Sequence, residues 1–178
     1  DSLQVRGVPW LYGVGDVNGR RLLTHMGKYQ ARQAGAAIVA RATGEQVSLA
    51  DWSPFVATAD RAATPSVVFT DPQVASVGLT TTEAAEKGVP HRVVDIPIAV
   101  AGSSLHADGY TGTAIMVVDT EREVLLGVTF IGPDVGEMLQ SATIAVVGAV
   151  PIARLWHAVP AYPTISEVWL RLLENYRG

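Results

Sequence analysis

Cysteine is absent from these 178 residues. Within this stretch there is therefore neither a disulfide frame nor a thiolate metal site. Charge is sparse: Asp, Glu, Lys and Arg make up 17%, the net charge is −4, and the basic residues are scattered. Nucleic-acid surfaces concentrate basic residues in a patch, so no nucleic-acid partner is expected. Long apolar runs are missing as well. The longest, around Ala142 to Ala153, is broken by Gly148 and Pro151 and is too short to cross a bilayer. No glycine-rich dinucleotide fingerprint of the G-x-G-x-x-G type is present, and neither a secretory leader nor an internal repeat is visible. These absences predict a cytoplasmic protein with no membrane partner and no metal site. What remains is a chain that is 48% hydrophobic, enough for one domain or slightly more. It opens on Asp1 in mid-pattern and reads as a piece of a longer protein.

Near the end, His157-Ala158-Val159-Pro160-Ala161 runs into Tyr162-Pro163-Thr164-Ile165-Ser166-Glu167. The two prolines predict extended backbone up to Tyr162, with Pro163 in the first turn of a helix. Thr164 and Ser166 are candidates to cap free amides there, and Glu167 would sit where the helix dipole favours a carboxylate. Trp169, Leu170, Leu172 and Leu173 would form the buried face. The segment thus aims Tyr162 and Glu167 at one point, and these are the candidate catalytic residues. The plainer alternative is a proline-rich turn before an ordinary terminal helix.

At the other end, Trp10 to Asp16 reads as a short buried strand closing in a Gly15-Asp16 turn. A periodic helix follows from about Leu22 to Ala42, with Met26, Tyr29, Ala36, Ile38 and Val39 among its residues. Strand, glycine turn and helix form the outline of a nucleotide-binding crossover, although Gly-Asp is also a common turn. Gly44 to Thr64 reads as a linker, with Trp52 and Phe55 expected to pack down.

Beyond it, Ser66 to Thr70 and Val74 to Leu79 read as strands. Thr80-Thr81-Thr82-Glu83 predicts a capping box on a short helix ending near Lys87 and Gly88. Arg92 to Ile98 alternates as a strand. Ala101 to Gly112 reads as a polar loop containing a solvated His106. Thr113 to Val118 and Val124 to Ile131 form a hairpin. Gly132-Pro133-Asp134 opens a helix to about Val147, and Pro151 to His157 adds a short helical stretch. The order predicts an α+β fold, an antiparallel sheet with flanking helices.

Several of these strings resemble the pyridine nucleotide-disulfide oxidoreductase family, which includes dihydrolipoamide dehydrogenase, glutathione reductase and mercuric reductase. The most specific is Thr70 to Thr80, similar almost throughout to the opening of the family's dimerisation domain. Leu11 to Asp16 resembles the family's second flavin fingerprint, in which the Asp meets the ribityl chain of FAD. Leu23-Thr24-His25 resembles the start of the helix that points at the flavin.

The resemblance implies cofactor-binding roles for Gly15, Asp16, Leu23, Thr24 and His25, the last through packing or backbone rather than catalysis. It implies three segments: 1–48 as a strand–helix remnant of an FAD-binding domain, 49–64 as linker, and 65–178 as an FAD/NAD-linked reductase dimerisation domain. It further implies FAD and NAD(P)H in the full-length protein, a homodimer and a small-molecule electron acceptor. In the thiol-handling members the terminal string reads His-Pro-Thr-x-x-Glu, with the His serving the redox cysteines and the Glu orienting it. Here Glu167 is kept and Tyr162 stands in the place of the His. Tyrosine has a reference pKa of about 10 against about 6.5 for histidine, so the side chain can donate a hydrogen bond but is a poor base at neutral pH. Quinones, dioxygen, metal ions or a second nicotinamide then stand beside disulfides as acceptors. By itself the stretch is expected to be inactive and to retain no flavin. A reading of another class is an isolated self-association module.

Overall fold

A computed structural model describes residues 2–178. The chain forms two compact units, one up to Thr64 and one from Pro65 to Gly178.

The first unit is organised by helix α1, Thr24–Thr43, which ends on Gly44 at φ 78°. Its buried face is built from Met26, the amide of Gln30 and three alanines, Ala34, Ala37 and Ala40. Ile38 and Val39 are exposed. The alanines let Leu3 and Ala57 pack close, with Tyr12 and Tyr29 alongside.

The segment Trp10 to Asp16 is not a buried strand. Tyr12 makes a single antiparallel bridge with Gln4, and Trp10 is 78% exposed. One bridge ties down one residue, so the apolar side chains around it find no layer to pack under. The glycine turn is a short 3-10 helix, Gly15–Asn18. Residues 49–64 pack within this unit and include helix α2, Ala59–Ala62. Val56, Ala57, Thr58, Asp60 and Ala63 are buried there, whereas Trp52 is half exposed.

The second unit is α+β. Strands β1 (Ser66–Val68), β2 (Gln73–Gly78), β3 (His91–Pro97), β4 (Thr113–Asp119) and β5 (Val124–Gly132) form one antiparallel sheet in the order β1-β2-β5-β4-β3. The β4–β5 turn is held by Asp119, whose Oδ1 accepts from the amides of Glu121 and Arg122, both at 2.9 Å.

Helix α3, Thr81–Glu86, carries the expected capping box. The Glu83 amide donates to Thr80 Oγ1 at 3.2 Å, and the Thr80 amide donates to Glu83 Oε2 at 2.8 Å. The stretch expected as a loop contains helix α4, Ala101–His106. Ser103 Oγ donates to the Val100 carbonyl at 2.7 Å and accepts from the Val100 amide, so one serine closes the first turn.

The expected helix after Gly132 starts later. Asp134 takes φ 54°, Val135–Met138 is a 3-10 turn, and α5 follows as Leu139–Val147. Helix α6 is Ile152–Leu155. The last helix, α7, is Val168–Arg177, entered through a 3-10 turn at Ile165–Glu167. α5 lies against β2 and β5, and α7 against β3 and β4. Phe130 and Met116 are fully buried in the sheet, and Val168 and Leu172 in α7. Phe130 meets Trp169 edge-on at 5.9 Å.

Candidate functional site

Two places carry the residues singled out from the sequence, one in each unit.

In the first unit, Gly15 takes φ 72° and lies against the first turn of α1. A Cβ on Gly27 would come within 3.2 Å of the Gly15 Cα, so this turn and this helix touch backbone to backbone. The Gly15 amide donates to Gln30 Oε1 at 2.7 Å. Asp16, Thr24 and His25 are exposed, and Leu23 is half-buried. Leu23 is the N-cap of α1 and has no polar side chain to satisfy its amides. An exposed carboxylate thus stands on a rigid turn close to an uncapped helix start.

In the second unit, the terminal segment departs from expectation at its entry. The Tyr162–Pro163 bond is cis, and Pro163 precedes the 3-10 turn instead of starting the helix. Thr164 and Ser166 do not cap it. Thr164 Oγ1 donates back to the Ala161 carbonyl at 2.6 Å, because the backbone folds over that oxygen. Tyr162 is 75% exposed, and no hydrogen bond joins it to Glu167.

Glu167 is buried. Its Oε1 accepts from Arg171 Nη2 at 3.0 Å, while Arg171 Nη1 reaches Glu174 at 3.0 Å. Glu174 first, then Glu167, raises the guanidinium pKa. Glu167 Oε2 is buried with no hydrogen-bond partner among the described residues. A buried carboxylate oxygen left unpaired is costly, and the arrangement suits an incoming donor.

The entry is braced by a contact that sequence reading missed. A Cβ on Gly102 would lie 2.0 Å from the Thr164 carbonyl carbon, so α4 touches the backbone of this segment through glycine. The polar string Ala101-Gly102-Ser103-Ser104 reads as a loop because serine and glycine are poor helix formers. Only the packing partner reveals the helix. At its far end the exposed His106 pairs through Nε2 with Asp134 Oδ2 at 2.9 Å. Tyr110 donates to the Pro133 carbonyl at 2.9 Å. Burial first, then the Asp134 charge, pushes its hydroxyl pKa up. We expect Gly102→Ala to destabilise the protein by about 1–3 kcal/mol, read as a lowered denaturation midpoint. An unchanged midpoint would mean that α4 and the segment can separate freely.

An apolar groove of about 410 Å³ lies between α5, α6 and α7. Its walls include Ile144, Val150, Leu155, Pro160 and Trp169. Among the described residues no group of three or more His, Cys, Asp or Glu could hold a metal, and no helix is long and apolar enough to cross a membrane.

The sheet order, the helices laid on it and the buried carboxylate entering the last helix define a reductase-type dimerisation domain. Residues 64–173 match the family model of the pyridine nucleotide-disulphide oxidoreductase dimerisation domain, and the chain belongs to that family. Among its relatives is the dihydrolipoyl dehydrogenase of Chlamydia muridarum (strain MoPn / Nigg), 30% identical over 169 residues, covering 95% of this chain and 33% of the relative. The dihydrolipoyl dehydrogenase of Thermus scotoductus (strain ATCC 700910 / SA-01) is 33% identical over 159 residues, covering 89% of this chain and 31% of the relative. The chain thus spans about a third of the length of these curated relatives. In fold it is similar to the HOCl-induced flavoprotein disulfide reductase RclA from Escherichia coli, with a TM-score of 0.77 at 23% identity, covering 98% of this chain and 37% of that one.

Proposed function

We propose that this chain is the C-terminal part of an FAD-dependent, NAD(P)H-using oxidoreductase resembling dihydrolipoamide dehydrogenase. It supplies the dimer interface and part of the surroundings of the flavin and the active site. The observation that carries this reading is the buried, half-paired Glu167 carboxylate at the end of a dimerisation domain. In a two-fold dimer that carboxylate would face the partner subunit's reaction centre.

The residues of the first unit fit a flavin. Asp16 offers an exposed acceptor for a ribityl hydroxyl on a turn whose backbone is fixed from behind. The start of α1, at Leu23, Thr24 and His25, provides backbone amides and the positive end of a helix dipole. When bound, the flavin would supply the two-electron chemistry that side chains lack. The chain's own residues then bind and orient it, and Glu167 offers Oε2 as an acceptor for an approaching donor.

Tyr162 bears on the choice of electron acceptor. Its exposure and lack of a tie to Glu167 favour a pocket wall over a base. The enzyme is then better suited to an acceptor that needs no neutral-pH base, such as a quinone or dioxygen, than to a dithiol. Self-association is the role this stretch carries alone, and the purified chain is expected to be colourless at flavin wavelengths.

In the full-length protein, Asp16→Ala is expected to weaken flavin binding about tenfold, the cost of one lost hydrogen bond to a charged acceptor. Flavin content after gel filtration and a fluorescence titration measure it. Equal flavin content in variant and parent would remove Asp16 from the cofactor site.

A further inference from the structure

We propose that Gln30 and Asp60 form a buried relay that positions the Gly15–Asp16 turn, so that residues 49–64 help shape the cofactor site. This rests on the reading of that turn as part of a flavin site. Gln30 is fully buried in the middle of α1. Its amide is engaged on both sides. Oε1 accepts from the Gly15 amide at 2.7 Å and from Asn18 Nδ2 at 2.8 Å. Nε2 donates to both Asp60 oxygens, each at 3.1 Å. Asn18 Nδ2 also donates to the Gly13 carbonyl at 3.1 Å. The two ends of the 3-10 turn, Gly15 and Asn18, are therefore gripped by one oxygen.

The direction of the amide is dictated by chemistry. A carboxylate only accepts, so Nε2 must face Asp60, and Oε1 is forced toward the turn. Asp60 is 7% exposed, and Arg20 Nη1 lies 3.6 Å from its Oδ2. The Asp60 carbonyl accepts from Arg21 Nε at 2.6 Å. Arg20 and Arg21 follow the turn after Gly19, so both the carboxylate and the carbonyl of Asp60 are linked to it. Removing the Asp60 acceptor would leave the buried Nε2 hydrogens without a partner, so the Gln30 amide is no longer held toward the turn. Gly15 and Asn18 then lose their shared acceptor, and Asp16 moves out of place. Neither Gln30 nor Asp60 need touch a flavin; both act through the turn.

The test is hydrogen exchange at the Gly15 amide of this chain, with a flavin titration of the full-length protein. In the parent, the Gly15 amide should exchange only slowly. Gln30→Met, which keeps the volume and removes the acceptor, should speed that exchange at least about tenfold and weaken flavin binding about tenfold. Asp60→Leu should do the same. Asp60→Asn keeps an oxygen for Nε2 and should leave both near parent values. Met26→Ala, a packing change on the same helix face, should lower thermal stability yet keep Gly15 protected. Fast exchange at Gly15 in the parent, or unchanged exchange in Gln30→Met, overturns the relay. If Gln30→Met frees the Gly15 amide while Asp16→Ala leaves flavin affinity unchanged, the relay stands and the flavin reading fails.

Discussion

Tyr162→His is expected to raise dithiol–disulfide turnover by about 10²–10⁴-fold in the full-length protein, the usual contribution of a general acid–base. The gain requires redox cysteines elsewhere in that protein. The structural basis is Glu167. Its Oε2 is buried and unpaired, and Arg171 holds Oε1 in place, so an acceptor for an imidazole N–H already exists.

The new histidine would gain a carboxylate partner, which stabilises its charged form and raises its pKa above the reference of about 6.5. The base is the neutral form, so the added activity should appear as pH rises through that raised value. Glu167→Gln in the same background should move the rise to lower pH and reduce its height. Steady-state turnover of dihydrolipoamide and of glutathione disulfide across pH measures both effects. A parent enzyme already fast with either substrate would show that Tyr162 is no handicap.

A second large effect is expected at the groove between α5, α6 and α7. The chain should run as a homodimer, with twice the monomer mass of 18.8 kDa by light scattering across a dilution series. Ile144→Asp should raise the dissociation constant at least about a hundredfold, the scale of a central interface residue. Ile144 is 60% exposed although it lies on an apolar helix, and the groove beside it is walled by Leu155, Pro160 and Trp169. A two-fold interface counts each such patch twice, and stable homodimers commonly bury about 2,000 Å² or more. A concentration-independent monomer in the parent would refute the dimer and leave Glu167 without a facing subunit.

The structure narrows that surface relative to the sequence. Met138 to Trp156 is apolar with few charges, Arg154 being the only charged residue inside it. Yet Met138, Leu139, Ala142, Ala145 and Ile152 are spent on the unit's own core. Ile144, Val147 and Val159 are the larger apolar side chains left exposed around it.

What the sequence determined by itself was much of the local structure. Runs of β-forming residues placed β2 to β5, and the Thr80–Glu83 spacing placed a capping box, because each depends on neighbours within a few residues. The Thr70 to Thr80 string and Glu167 were enough to point to the family. The tertiary structure decided what depends on distant partners. It made α4 a helix by setting Gly102 on the backbone of Thr164. It left Trp10 exposed, because a single bridge beside it forms no layer. It buried Gln30, a polar residue with no apolar signature, because Gly15, Asn18 and Asp60 converge on its amide. A side chain's periodicity shows which face of an element it occupies. Whether a polar group can be buried there depends on donors and acceptors brought in from elsewhere in the chain, and only folding assembles them.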